Sequence, residues 1–253
     1  MNNFKTSIIA HRGASYEAPE NTLSAVNLAW KLNADAVEVD VHLSKDGETV
    51  VFHDYDLKRI CGIDKKISEL SIDEIKQFDA GKWKGDQWIG EKIPLLEEIL
   101  NTVPENKKII VEIKCGVEII DRLKNVVEKS KLRSDQIEIE FIGFDLELMS
   151  QVKKEFPNNR TLGLWELKED REHSIFYPSV DEIIAKSKEL GFDGIDVNAC
   201  CALTEKFIKW VKDAGLLFYV YTVDDFMIAK YFIDQQIEGI TTNRPDFLLQ
   251  FPF

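Results

Sequence analysis

The chain has 253 residues, 44% hydrophobic and 30% charged, with a formal net charge of −13 at pH 7. That balance belongs to a globular protein with a sizeable core, in one large domain or two small ones. The acidity excludes broad electrostatic contact with nucleic acid or an anionic membrane, so an anionic substrate would need local positive groups.

In chain order, Met1 to Ser7 lacks an apolar signal stretch, and the first apolar run is only Ile8-Ile9-Ala10. No segment reaches the ~18 apolar residues of a membrane span. The four cysteines, Cys61, Cys115, Cys200 and Cys201, form no Cys-x-x-Cys pair, and an adjacent pair is poor disulfide geometry. These features predict a cytoplasmic protein without stable membrane association. With no distinctive interface stripe, both a monomer and a homodimer fit.

Short β-branched runs alternate with amphipathic stretches, which predicts βα units around a mainly parallel sheet. Strands are expected at Ser7 to Ala10, Ala36 to Leu43, Thr49 to Phe52, Lys108 to Ile113, Ile137 to Ile142, Arg160 to Leu164, Gly194 to Val197, Leu217 to Tyr221 and Gly239 to Thr242. Only Ser44-Lys45-Asp46-Gly47-Glu48 joins the second and third. That is too short for a parallel crossover and carries the Asp-Gly hairpin signal. Setting aside the second hairpin arm leaves eight strands, which predicts an α/β fold of the TIM-type (β/α)8 kind over residues 1–253. Helices are expected at Thr22 to Leu32, Leu146 to Phe156, Val180 to Leu190, Thr204 to Ala214 and Asp224 to Gln235. The stretch 55–93, Gly- and Trp-rich near Trp83 and Trp88, fits no βα unit. It reads as an insertion over one barrel face, with the two tryptophans either lining a substrate entrance or packing the insertion down.

Charged residues interrupt several strand ends. Glu38 and Asp40 stand two apart in a valine-rich run and share one face, as do Glu112 and Lys114. Carboxylates in apolar runs are costly unless paired or bound to a cation. They therefore predict either an ion pair with Arg12 or Lys114, or oxygen ligands for one divalent cation, Mg2+ or Ca2+. Of the four histidines, His11 and His53 each close a β-run beside these acids, which suits general acid and base roles. His42 is expected to be solvated near the hairpin turn and His173 to lie at the surface. Barrel active sites form at the C-terminal strand ends, where His11, Glu38, Asp40 and Glu112 all fall.

The motifs His11-Arg12-Gly13, Pro19-Glu20-Asn21-Thr22, Glu38-Val39-Asp40-Val41, His53-Asp54, Pro94-Leu95-Leu96-Glu97-Glu98, Glu112-Ile113-Lys114, Gly143-Phe144-Asp145, Tyr221-Thr222-Val223-Asp224 and Gly239-Ile240-Thr241-Thr242-Asn243-Arg244-Pro245 resemble, in order, those of the glycerophosphodiester phosphodiesterase family. The resemblance implies a (β/α)8 barrel that hydrolyses a small-molecule glycerophosphodiester to glycerol 3-phosphate and an alcohol. It implies His11 and His53 as the acid/base pair, and Glu38, Asp40 and Glu112 as metal ligands. It makes Arg12 and Lys114 phosphate contacts, has Glu20 hold Arg12 or His11 in place, and has Phe144, Trp165 and Tyr221 line the glycerol pocket. The chain departs from the family pattern at Gly143, at Asp224 where Asn is usual, and at Asn243 where Asp is usual. A related barrel phospholipase, of lysophospholipase D or phospholipase C type, is the alternative; it would need a membrane-facing rim. A non-catalytic phosphate-binding barrel is opposed by the full set of acid/base and metal candidates.

Overall fold

The computed structural model describes residues 5–133, 137–173 and 175–251; residues 1–4, part of the N-terminal stretch read above, lie outside them. The chain opens with β1 (Ser7–His11), α1 (Leu23–Lys31), β2 (Ala36–Leu43) and β3 (Thr49–Val51). The short helices α2 (Lys58–Cys61) and α3 (Ile72–Ile75) lie in the insertion, and α4 (Leu96–Leu100) follows it. Then come β4 (Lys108–Ile113), α5 (Ile120–Arg133), β5 (Glu138–Gly143), α6 (Leu146–Glu155) and β6 (Arg160–Trp165). A hairpin of β7 (Lys168–Asp170) and β8 (Ile175–Tyr177) precedes α7 (Val180–Glu189). The last units are β9 (Gly194–Asn198), α8 (Glu205–Asp213), β10 (Leu217–Tyr221), α9 (Phe226–Asp234), β11 (Gly239–Thr242) and α10 (Pro245–Leu248).

The strand order β1-β11-β10-β9-β6-β5-β4-β2, closed by a β1–β2 pairing, joins eight parallel strands into a TIM-type barrel. β3 hangs antiparallel on the upper part of β2, with Val41 opposite Val51 and Leu43 opposite Thr49, as a hairpin requires. Strand alternation divides the core. Ile9, Ala36, Ile110, Ile142, Leu162, Leu164 and Tyr219 point into the barrel. Their sequence neighbours, such as Ala10, Val37, Val111 and Phe141, face the surrounding helices. The insertion packs its own apolar cluster of Leu57, Ile60, Ile67, Leu70, Ile75 and Ile93 against Val50 and Phe52. No helix among the described residues is long and apolar enough to cross a membrane.

The expected helices begin where the side chains allow. Thr22, Asp145, Ser179 and Thr204 each accept a backbone N–H from the first turn that follows. Several elements, α4, α5, β7 and β8 among them, had no counterpart in the sequence reading. α5 buries Ile120, Leu123, Val126 and Val127 at helical spacing between charged residues. α4 is little more than one turn, and β7 and β8 are exposed strands without apolar alternation.

An ionic cluster fills the barrel near the N-terminal ends of its strands. Glu140 is fully buried. It accepts from Tyr219 OH at 3.0 Å and lies 2.8 Å from Lys108 Nζ and 3.2 Å from Arg160 Nη1. Glu140→Ala leaves Lys108 without its carboxylate and is expected to cost about 3 kcal/mol, the low end for a broken buried pair. Urea unfolding would report this as a lower midpoint at constant m-value; an unchanged midpoint would mean the cluster contributes nothing to stability.

Candidate active site

The site begins with the turn that ends β1. Arg12 sits in the left-handed region at φ 56°, and Gly13 follows at φ 81°. A Cβ on Gly13 would stand 2.5 Å from the backbone of Ala25, so only glycine allows α1 this close to the turn. The turn aims the Arg12 backbone N–H at Glu38 Oε2, 3.0 Å away, and carries the guanidinium back over the strand ends. The loop to α1 then supplies three contacts in succession. Glu20 accepts from Arg12 Nη1 at 2.9 Å. Asn21 donates through Nδ2 to Asp40 Oδ2 at 2.7 Å and accepts from the Asp40 N–H through Oδ1 at 3.2 Å. Thr22 caps α1.

Parallel register brings the acids together. Glu38 pairs with His11 on β1, and Asp40 with Glu112 on β4. All three carboxylates are buried, and one oxygen of each lies within 4.8 Å of the others. Lys114 contacts Glu112 and comes within 3.2 Å of Asp40 Oδ1. Arg12 Nε lies 3.2 Å from Asp40 Oδ2. Neither approach to Asp40 is aligned as a hydrogen bond, so Asp40 Oδ1 and Glu38 Oε1 are buried without hydrogen-bond partners. Burial, reinforced by Asp40 and Glu112, pushes the Glu38 carboxyl well above the usual range. Burial and Asp40 raise Glu112 to about 7. Against the same cost of burial, Lys114 and Arg12 hold Asp40 below the usual range. Three carboxylates thus face two cations. Their all-oxygen donor set, with two buried oxygens that accept no hydrogen bond, fits a hard divalent cation.

The histidines are fixed from behind. The Asp224 carboxylate accepts from Asn243 Nδ2 and from the Asn243 backbone N–H, each at 2.8 Å. A carboxylate can only accept, so the Asn243 amide must turn Oδ1 towards His11 Nδ1, 2.7 Å away. His11 therefore carries its proton on Nδ1 and presents Nε2 to the cavity. Burial, helped by the Arg12 charge, lowers its pKa to about 4, so the ring is neutral at pH 7. His53 donates through Nδ1 to Asp54 Oδ1 at 2.7 Å. Arg59 of α2 donates to Asp54 and Glu20 at 2.7 Å each. A continuous chain, His53–Asp54–Arg59–Glu20–Arg12, thereby links the two sides of the site.

A cavity of about 240 Å³ opens between these groups and the opposite wall, which is made of Ile142, Phe144, Leu164, Asp196 and Tyr221. His11, Arg12, Glu38, His53, Glu112 and Lys114 line the charged side, with Asp40 buried behind them. Phe144 and Tyr221 reach the cavity as expected, but Trp165 does not. Leu164 points inward, so Trp165 faces the helices and packs with Leu167, Ile195 and Val197. Only the Trp165 carbonyl approaches the site, accepting from Tyr221 OH at 3.1 Å. His42 is not solvated. The start of the insertion covers it: its Nε2 donates to the His53 carbonyl at 3.0 Å, and its ring packs edge-on against Tyr55. His173 is exposed. Neither Trp83 nor Trp88 lines the cavity, and Trp83 Nε1 donates within the insertion to the Ala80 carbonyl. Sequence reasoning missed Asn21, Asp54, Arg59, Asp224 and Asn243 as positioning groups, and Asp196 on the cavity wall. Asp196 carried a readable signal, a lone acid inside the apolar run Gly194-Ile195-Asp196-Val197.

A closed eight-stranded parallel barrel with its charged side chains gathered around one cavity at the C-terminal strand ends is the layout of a (β/α)8 enzyme. The Glycerophosphoryl diester phosphodiesterase family profile matches residues 11–247, and the chain belongs to that family. The chain is 30% identical over 254 residues to a glycerophosphodiester phosphodiesterase from Bacillus subtilis (strain 168), covering 94% of this chain and 83% of that protein. It is 27% identical over 283 residues to a lysophospholipase D from Homo sapiens, covering 98% of this chain and 86% of that protein. An Oleispira antarctica phosphodiesterase, solved in complex with the product sn-glycerol-3-phosphate, superposes with a TM-score of 0.85 at 26% identity. That match covers 98% of this chain and 96% of that one.

Two departures from the family pattern face each other, since Asp224 and Asn243 form one hydrogen-bonded pair. Asn243→Asp alone sets two carboxylates together and is expected to cost about 1 kcal/mol, limited because Asp224 is open to solvent. Adding Asp224→Asn restores one donor amide against one acceptor carboxylate and should recover most of the loss. Thermal melting of both single variants and the double variant tests this, and strict additivity would refute the pairing.

Proposed function

We propose that the protein hydrolyses glycerophosphodiesters to glycerol 3-phosphate and an alcohol, with a divalent cation, Mg2+ or Ca2+, held by Glu38, Asp40 and Glu112. The observation that carries this reading is the convergence of His11, His53, Glu38 and Glu112 on one cavity, with Asp40 buried behind them, in a chain of this family. The cation would neutralise charge on a non-bridging phosphate oxygen. Arg12 and Lys114, on the same side of the cavity, bind the remaining anionic oxygens. Glu20 and Arg59 hold Arg12 in that position. His11 and His53 divide the proton transfers: a ring that takes a proton in one step returns it in another. His11 starts unprotonated on Nε2, because Asn243 occupies Nδ1 and burial keeps the ring neutral. Phe144, Tyr221, Ile142 and Leu164 cover the carbon face of the glycerol and keep water from it. Free thiols at all four cysteines support a reducing, cytoplasmic setting.

A lipid phosphodiester is the second reading. The human relative is named for that activity, and Phe144, 49% exposed at the cavity, offers an acyl chain an apolar surface. Comparing kcat/KM for glycerophosphocholine and lysophosphatidylcholine separates the two, with a clear preference for the lipid favouring the second.

His11→Ala and His53→Ala are each expected to lower kcat by at least ~10²-fold, the usual scale for acid/base groups. A coupled glycerol 3-phosphate assay measures this, and wild-type turnover in either variant would remove that ring from the mechanism. Chelation should abolish activity, and Mg2+ or Ca2+ should restore it. Glu112→Gln, which loses a ligand charge, should need a higher cation concentration for half-maximal rate; full activity in excess chelator would exclude the metal role.

A further inference from the structure

We infer that Asp196 is a specificity-determining residue that receives a free hydroxyl of the substrate's glycerol moiety. The inference rests on the proposed hydrolysis of glycerophosphodiesters and assigns the recognition of the glycerol end within it.

Three observations converge on Asp196. On β9, Ile195 and Val197 face the helices and are buried in the outer core, so alternation turns Asp196 into the barrel. There it lines the cavity and is only 2% exposed. Its Oδ1 has no hydrogen-bond partner. Burial, reinforced by the carboxylates Glu112 and Glu140, holds the acid well above its ordinary pKa, against a lowering contribution from the Val197 backbone N–H. Asp196 is therefore not half of an ion pair, unlike Glu140 lower in the barrel.

Strand order fixes what such a group meets. Around the ring β9 lies opposite β2, which carries Glu38 and Asp40. The cations Arg12 and Lys114 belong to the ends of β1 and β4, on the Glu38 and Asp40 side. A phosphate bound there directs the rest of its ester across the cavity towards β9. Around Asp196 the wall carries no other carboxyl: Leu164, Ile142 and Tyr221 line it, with Thr222 and Thr241 further round. A lone carboxyl in such a wall suits a neutral group that can donate a hydrogen bond. A second phosphate would meet the Asp196 carboxyl and the fields of Glu112 and Glu140, while Arg12 and Lys114 stand across the cavity. Whether ionised or not, a carboxyl oxygen accepts the proton of an alcohol, and glycerol is the substrate portion that carries free hydroxyls. A site built to bond a hydroxyl also rejects analogues that lack it, because its own polar group is then buried unpaired.

The test compares three substrates: glycerophosphocholine, the propane-1,2-diol phosphocholine that lacks the terminal hydroxyl, and the propane-1,3-diol phosphocholine that lacks the middle one. The wild type should lose at least ~100-fold in kcat/KM on one of the two analogues. Asp196→Ala should shrink that discrimination at least ~10-fold. Asp196→Asn, which keeps an acceptor oxygen, should retain most of it. If the alanine variant does not fold, Asp196→Leu fills the same space and gives the same readout. An alanine or leucine variant that slows all three substrates alike, with the ratios preserved, would overturn the inference and leave Asp196 a structural residue. A wild type that cleaves the substrates without discriminating among them would overturn it too, while the proposed reaction stands. A wild type that cleaves none of them would remove the proposed reaction and this inference together.

Discussion

Three buried carboxylates crowded at one end of a barrel are the constraint around which this structure is arranged. Each costs free energy to remove from water, and each raises the cost of the others. Much of the surrounding loop sequence answers that cost. Arg12 adopts a left-handed conformation, Gly13 lets α1 approach, and Asn21 satisfies Asp40 with both ends of its amide. Glu20 then keeps Arg12 from collapsing fully onto the acids, and Arg59 keeps Glu20 in place. A guanidinium that is to bind phosphate, as proposed for Arg12, has to be held near the carboxylates without being consumed by them. The shared Glu20 achieves this by dividing its attraction between two partners.

The same logic of shared partners fixes the two imidazoles. Each is fixed at Nδ1, His11 by the neutral oxygen of Asn243 and His53 by the carboxylate of Asp54. Each anchor is itself held by a charged group, Asp224 in one case and Arg59 in the other. Because Asp224 can only accept, it settles the orientation of the Asn243 amide, and that orientation settles the tautomer of His11. Two departures from the family pattern thus amount to one exchange of amide and carboxylate between facing positions.

How much of this was legible depended on whether the signal was local. Buried parallel strands read as β-branched runs, so all eight barrel strands and the antiparallel arm appeared in the sequence. Glu38 and Asp40 stood out because acids at i and i+2 in a valine run have few physical explanations. α5 was obscured because charged residues interleave its apolar positions, and β7 and β8 because exposed strands carry no alternation. Trp165 was misplaced although parity was readable: with Leu164 inside the barrel, its neighbour has to face out. Arg59 and the burial of His42 were illegible for a different reason. Both depend on how the insertion folds back over the strand ends, and no local pattern encodes that return.

The barrel interior also explains why the charge at the mouth is completed from above. Towards the N-terminal ends of the strands, Ile110 and Leu162 fill the barrel beside the separate cluster of Glu140, Lys108 and Arg160. The cations of the lower cluster are taken up by Glu140, and the cations that act on Glu38 and Asp40 are Arg12 and Lys114. Arg12 and Lys114 are two charges against three. A proton kept on Glu38 or Glu112 balances the remainder, or a cation that enters by the cavity, which is also the route of an anionic substrate. An acidic protein can then attract a phosphodiester to this one place, because the positive charge needed to bind it gathers at the point where the fold concentrates its most costly negative charge.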